Sequence, residues 1–207
     1  MAITNFDELC KAVIKWSHRE DLASLIPDFV MLAEDAMYNN DMEPLKLRSM
    51  EVTAEITTPT RIISLPADFE SSRSTRLTID NGQLVYVTPE ALNSIGGTGR
   101  PNFFTIVGDT IEFDITPDTS YTLQIQYYRR EPALTDANQT NAVLTNNPAV
   151  YLNGALYEAM LYAQDFDQQQ VYRARFMSSI KGANKADKKG RYGNAPAVKI
   201  DNSSLRP

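Results

Sequence analysis

The chain has 207 residues, of which 43% are hydrophobic and 22% charged, so it can bury a core, and no run approaches the roughly 18–20 apolar residues that cross a bilayer as a helix. A single histidine, His18, and a single cysteine, Cys10, exclude His-rich metal clusters, paired-His mechanisms and an internal disulfide. The net charge of −6 conceals a division: residues 1–169 hold 11 Lys+Arg against 24 Asp+Glu, and residues 170–207 hold 9 against 2, the pattern of an interaction tail on an acidic body.

The first residues, Met1-Ala2-Ile3-Thr4-Asn5, lack a basic stretch followed by an apolar one, which predicts no secretory signal and synthesis in the cytoplasm. Two helices follow. Thr4 with Asp7 three residues on is a capping pattern, and Phe6, Leu9, Cys10, Val13 and Trp16 share one helical face, so Cys10 is expected as a buried thiol. His18 falls just past the end of this helix, a position that favours a cation. The second helix starts near Pro27, with Phe29, Leu32, Ala33, Ala36 and Met37 as its apolar stripe, and stops near Asn39-Asn40. Asp28, Glu34 and Asp35 are expected on its solvent side.

From Glu51 the period drops to two. Val52, Ala54 and Ile56 alternate with polar residues, and Ile62, Ile63 and Leu65 follow between Pro59 and Pro66. Asn81-Gly82 predicts a type I′ hairpin pairing Ile79 with Leu84 and Leu77 with Tyr86. Gly108-Asp109 predicts a second, pairing Ile106 with Ile111 and Phe104 with Phe113. Tyr121, Leu123, Ile125 and Tyr127 alternate in a last strand. Six or seven short strands of this kind make a small antiparallel sandwich or barrel.

An Asn/Thr-rich connection then runs to Pro148, with Asn146 or Asn147 as the natural N-cap of the next helix. That helix is apolar nearly all round: Leu152, Ala155, Leu156, Ala159, Met160 and Ala163 form one face, with Val150, Tyr157 and Leu161 on the back. It needs cover on two sides, and a second subunit is one candidate cover. A further helix from about Asp167 towards Lys189 carries the stripe Tyr172, Phe176, Ile180 and Ala183, with Lys181, Lys185 and Lys188 opposite. Residues 190–207 have no periodicity and are expected as an extended tail. The expected class is α+β. Helices of 1–48 and 133–189 form one bundle, an antiparallel β-domain of 49–132 is inserted between them, and the tail of 190–207 follows.

No catalytic constellation emerges. Neither Cys10 nor His18 lies in a nucleophile setting, acidic residues are spread over faces and turns, and no cofactor or metal site is expected. Gly96-Gly97-Thr98-Gly99-Arg100 lacks both the P-loop ending and dinucleotide spacing and reads as a loop tip. Arg129-Arg130 reads as a solvated strand end.

The run Arg129-Arg130-Glu131-Pro132-Ala133-Leu134, then Thr140-Asn141, Asn147-Pro148 and Tyr151-Leu152-Asn153-Gly154-Ala155-Leu156-Tyr157-Glu158-Ala159, resembles the head-to-tail adaptors of tailed bacteriophages, akin to tail tubular protein A. Ile3-Thr4-Asn5-Phe6-Asp7-Glu8-Leu9 and Ile26-Pro27-Asp28-Phe29 extend the resemblance to the amino end. It implies a non-enzymatic virion protein that forms a dodecameric ring beneath the portal protein in the phage neck. Such a ring touches neighbouring subunits, meets a tail or nozzle protein below and passes DNA without reading its sequence. It also implies portal contact through the carboxyl-terminal region. The candidate partner contacts there are Lys181, Lys185, Lys188, Lys189, Arg191, Tyr192, Lys199 and Arg206. Candidate subunit contacts are Val150, Tyr157, Leu161, Gly96, Gly97 and Arg100. An acidic, polar lumen drawn from residues 1–169 would let DNA slide past. The alternative reading is a nucleic-acid-binding accessory protein that uses the basic tail.

Overall fold

The computed structural model describes residues 2–39, 43–80 and 82–192. The chain divides between Arg48 and Ser49 and again between Glu131 and Pro132. One compact unit comes from the two ends of the chain and the other from the stretch between them. The class is α+β as expected, with helices towards both ends and antiparallel sheets in the middle.

The helical unit opens with α1 (Phe6–Ser17), which is capped one residue later than the sequence suggests. Asn5 accepts the Glu8 backbone N–H at 2.8 Å, while the Thr4 amide and hydroxyl both donate to the Glu8 carboxylate. Those Thr4 bonds hold the Glu8 carboxyl below its ordinary value. The buried face is Phe6, Leu9, Ala12 and Val13; Trp16, expected inside, is 49% exposed, and Cys10 is half-buried. His18 closes the helix in the left-handed region, with φ of 53°.

A 3₁₀ turn (Glu20–Leu25) leads into α2 (Ile26–Tyr38), which has Pro27 in its first turn. Here too the inner face is rotated from the expected stripe. Ile26, Phe29, Val30, Ala33 and Met37 are buried, whereas Leu32 is 46% exposed. Glu34, expected on the solvent side, is buried.

After the β-unit the polar connection is itself helical in part. Asn141 accepts the Leu144 N–H at 2.8 Å and caps the short α4 (Ala142–Asn146); Asn147 is the N-cap residue of α5 (Pro148–Tyr162), one of the two expected, but its side chain makes no capping bond. The all-round apolarity of α5 is met within the chain, because α1, α2, α4 and α6 (Phe166–Tyr192) all pack on it. Gly154 permits the closest approach: a Cβ there would stand 2.8 Å from Ala33 Cβ and 2.9 Å from Phe176 Cε2. On α6 the stripe Tyr172, Phe176, Ile180 and Ala183 is buried as expected. The helix runs to Tyr192, beyond the expected end at Lys189, so Gly190 and Arg191 are helical.

The second unit contains β1 (Glu51–Thr58), β2 (Ile62–Ser64), β3 (Phe69–Leu77), β4 (Val85–Tyr86), α3 (Pro89–Asn93), β5 (Thr98–Gly99), β6 (Phe103–Val107), β7 (Thr110–Phe113), β8 (Thr116–Pro117) and β9 (Tyr121–Arg129). They form a sheet of order β1-β9-β3, another of order β2-β7-β6-β4, and a β5-β8 pair. β1 and β3 run antiparallel to β9, and β2 and β6 antiparallel to β7. The two larger sheets share one core, which includes Leu77, Phe104, Ile111, Phe113, Leu123 and Ile125.

The hairpin at Gly108-Asp109 has the expected register, with Ile106 opposite Ile111 and Phe104 opposite Phe113. Gly108 supplies the positive φ, 55°, that its first turn position needs. The other turn does not follow expectation. Asn81 lies outside the described residues, and the Gly82 N–H donates to the Asp80 carboxylate at 2.8 Å. The strands bridge at Arg76 and Gln83, which leaves Ile79 exposed, and β4 turns away to pair in parallel with β6.

Candidate partner-binding surface

Unit by unit, the structure sorts the residues on which partner binding was expected. Lys181, Lys185, Lys188 and Lys189 all stand exposed on the side of α6 away from its buried stripe. Tyr192 is the last helical residue, and Lys199 and Arg206 lie outside the described residues.

The basic end of α6 is held in place from its inner side. Asn184, buried, donates to the Pro44 carbonyl at 3.0 Å and accepts the Lys46 N–H at 3.0 Å. One turn later Asp187 accepts the Arg48 amide at 3.1 Å and the Arg48 side chain at 3.1 Å, and its other oxygen accepts from Arg191 at 2.9 Å. Burial works against the charged carboxylate of Asp187. The hydrogen bonds from the Arg48 amide, Arg191 and the Arg48 side chain outweigh it and hold the carboxyl below its ordinary value. Arg191 therefore serves the helix's own anchorage, while Lys188 is 3.7 Å from Glu43 at the surface. The result is a row of lysines presented on a fixed helix end.

The expected subunit contacts fare unevenly. Val150 is 1% exposed and faces the interior of its own unit, which corrects its assignment as a subunit contact. Tyr157 is half-buried, and Leu161 is 42% exposed at the end of α5. In the β-unit Gly96 and Gly97 are exposed, and a side-chain carbon at either would meet only open space. Arg100 is spoken for: it donates to Asp80 at 2.7 Å and to Asn102 at 2.6 Å, and the Arg100 bond lowers the Asp80 carboxyl from its ordinary value.

Asp28 and Asp35 are exposed on the outer side of α2 as expected, but Met31, at 58%, and Leu32 stand exposed between them, so that the four form one stripe. The signal for them was present, since they recur at i, i+3, i+4 and i+7. Glu34, by contrast, carries no such signal. It accepts the Leu134 N–H at 2.9 Å and the Tyr151 hydroxyl at 2.9 Å, tying the connection that follows the β-unit to α2 and α5. Burial, followed by the adjacent Glu34, pushes the Tyr151 phenol well above its ordinary value.

Among the described residues no group of His, Cys, Asp and Glu is placed to hold a metal ion, and no helix is long and apolar enough to cross a membrane. The exposed features of the helical unit are thus a charged row on an anchored helix and a separate apolar-acidic face on α2. A family model, the SU10 adaptor protein, matches residues 4–199, and the chain belongs to that family. The resemblance to phage head-to-tail adaptors thus holds over nearly the whole chain, and the role is a structural, adaptor one. No curated protein matches the chain.

Proposed function

We propose that this protein is the head-to-tail adaptor of a tailed phage virion, docking as a dodecameric ring under the portal, extending the DNA channel and offering its lower face to tail components. It acts by assembly and carries no catalytic step. The observation that carries this reading is the family match across residues 4–199, joined to a basic helix end that Asn184 and Asp187 hold rigid. Presenting Lys188 and Lys189 on a pre-ordered helix lowers the conformational cost of docking, and an acidic portal surface is the complement. In the ring, acidic and polar side chains from residues 1–169 line the channel, where they repel phosphates and keep DNA from sticking.

Mass photometry of the protein mixed with the portal encoded beside it tests the reading. A discrete complex whose added mass equals a ring of adaptors is expected, and loss of that complex on deleting the residues after Gly190 or on changing Lys188 and Lys189 to Glu. A portal that stays bare, while the protein shifts only when DNA is added, would replace the adaptor reading with that of a nucleic-acid-binding accessory protein.

A further inference from the structure

We infer that the outer face of α2 receives the outer face of α6 from a second copy of this chain, so that copies join head to tail. The inference rests on the ring reading above and names the surfaces that would make the ring. On α2 the four residues Asp28, Met31, Leu32 and Asp35 form one helical stripe: two exposed apolar side chains with a carboxylate a turn to either side. Asp35 also accepts from Asn39 at 3.0 Å, which orients its carboxylate without removing it from the surface.

On α6 the four residues Ser178, Lys181, Gly182 and Lys185 repeat the same i, i+3, i+4, i+7 spacing, all exposed. The character differs, with small residues and cations alternating. A Cβ added at Gly182 would meet nothing within 4 Å, so there is room over it.

Laid together, the two stripes are complementary in charge and in relief. Met31 and Leu32 fill the shallow ground over Ser178 and Gly182, and Asp28 and Asp35 reach Lys181 and Lys185. Helices with small residues at the contact approach closely, and the opposed charges fix register and polarity. Because the two faces are different surfaces of one chain, each copy uses both, which is the heterologous contact that closes into a ring when the rotation permits. Lys188 and Lys189, further along α6, are left for the portal.

Charge reversal tests this on the full chain. One variant carries Asp28→Lys and Asp35→Lys; another carries Lys181→Glu and Lys185→Glu. All four positions are exposed, and circular dichroism checks that each variant folds. By sedimentation velocity at low salt, wild type is expected to form higher-mass species that salt dissolves. Each variant alone is expected to stay monomeric, since its two faces then bear the same sign. An equimolar mixture of the two restores assembly, because copies alternate and every junction again pairs opposite charges.

Wild type that stays monomeric at every concentration and salt, or a mixture that does not recover, overturns the proposal. So does a Lys181→Glu, Lys185→Glu variant that loses binding to duplex DNA while self-association is untouched, which would give the α6 face to nucleic acid. Portal attachment is scored separately: charge-dependent self-assembly without portal binding would sink the adaptor reading and leave this contact standing. Portal binding without the swap behaviour would do the reverse.

Discussion

The Tyr151 hydroxyl donates to the Glu34 carboxylate at 2.9 Å, joining the first turn of α5 to α2 across 117 residues of sequence, and both side chains are buried. The same carboxylate oxygen takes the Leu134 N–H, and the Tyr151 oxygen accepts from Asn141, whose amide also donates to the Pro132 carbonyl. One buried network therefore fixes where the chain re-enters the helical unit. Removing one member leaves buried groups without partners, which costs more than the bond itself contributes. Glu34→Ala is expected to destabilise the helical unit by about 3 kcal/mol and Tyr151→Phe by about 1–2 kcal/mol. Urea unfolding followed by helical ellipticity measures both. The double variant should be less costly than the sum of the two, and strict additivity would show that the pair does not act together.

Gly154 offers a test of packing. Its missing side chain is what allows Ala33 and Phe176 to meet α5 so closely. Gly154→Ala gains helix propensity, about 1 kcal/mol, but drives a methyl into two neighbours, and overpacking costs typically about 1–3 kcal/mol. The expected net effect is a loss of stability, partly recovered when Ala33→Gly is added to make room. A more stable Gly154→Ala variant in thermal unfolding would mean that the helices can part without penalty.

What the sequence made legible followed from local rules, and what it hid followed from distant partners. The Gly108-Asp109 hairpin and the buried stripe of α6 were readable because a turn residue or a period of 3.6 specifies them within a few residues. The faces of α1 and α2 were read a fraction of a turn away from their true orientation. In α1, Ala12 carries little apolar weight yet is buried, while Trp16 carries much and is exposed. Glu34 could not have been placed, since a carboxylate on a helix looks solvated until Leu134 and Tyr151 arrive from far along the chain. The register expected around Asn81-Gly82 lost to the bridge between Arg76 and Gln83 and to the parallel pairing of β4 with β6. The partner surface was half legible: the lysines of α6 stood out by charge, but their anchorage by Asn184 and Asp187 depends on a segment about 140 residues earlier.

That anchorage has a pH signature. Asp187 titrates below its ordinary value in the folded chain, because the bonds from Arg48 and Arg191 outweigh the burial that opposes its charge. A carboxyl lowered in this way contributes stability that is present above the unfolded value, about 4, and is lost as pH falls through the lower folded value. Asp187→Asn should therefore be less stable than wild type at neutral pH, with the gap closing on acidification below about pH 4. Unfolding midpoints taken along a pH series give the comparison, and a gap that persists unchanged at low pH would exclude this carboxylate as its source.

The lone cysteine tests burial on α1 directly. Cys10 is half-buried, and burial, then the nearby carboxylates of Asp7 and Asp136, push its thiol up to about 11. The thiolate is the reactive form, so the folded protein should react slowly with a disulfide reagent at mildly alkaline pH. A rise of two units corresponds to about a hundredfold less thiolate, and full unfolding in urea should restore that factor in rate. The linkage runs in the alkaline direction. The neutral thiol is favoured in the fold, so stability holds below the ordinary value of 9.0 and declines as pH climbs from there towards 11, where the unfolded chain ionises first. Asp136→Asn should lower the folded value and speed the reaction modestly, because it removes one of the two opposing charges while leaving burial intact. A folded-state rate equal to that in urea would place the thiol in solvent and overturn this orientation of α1.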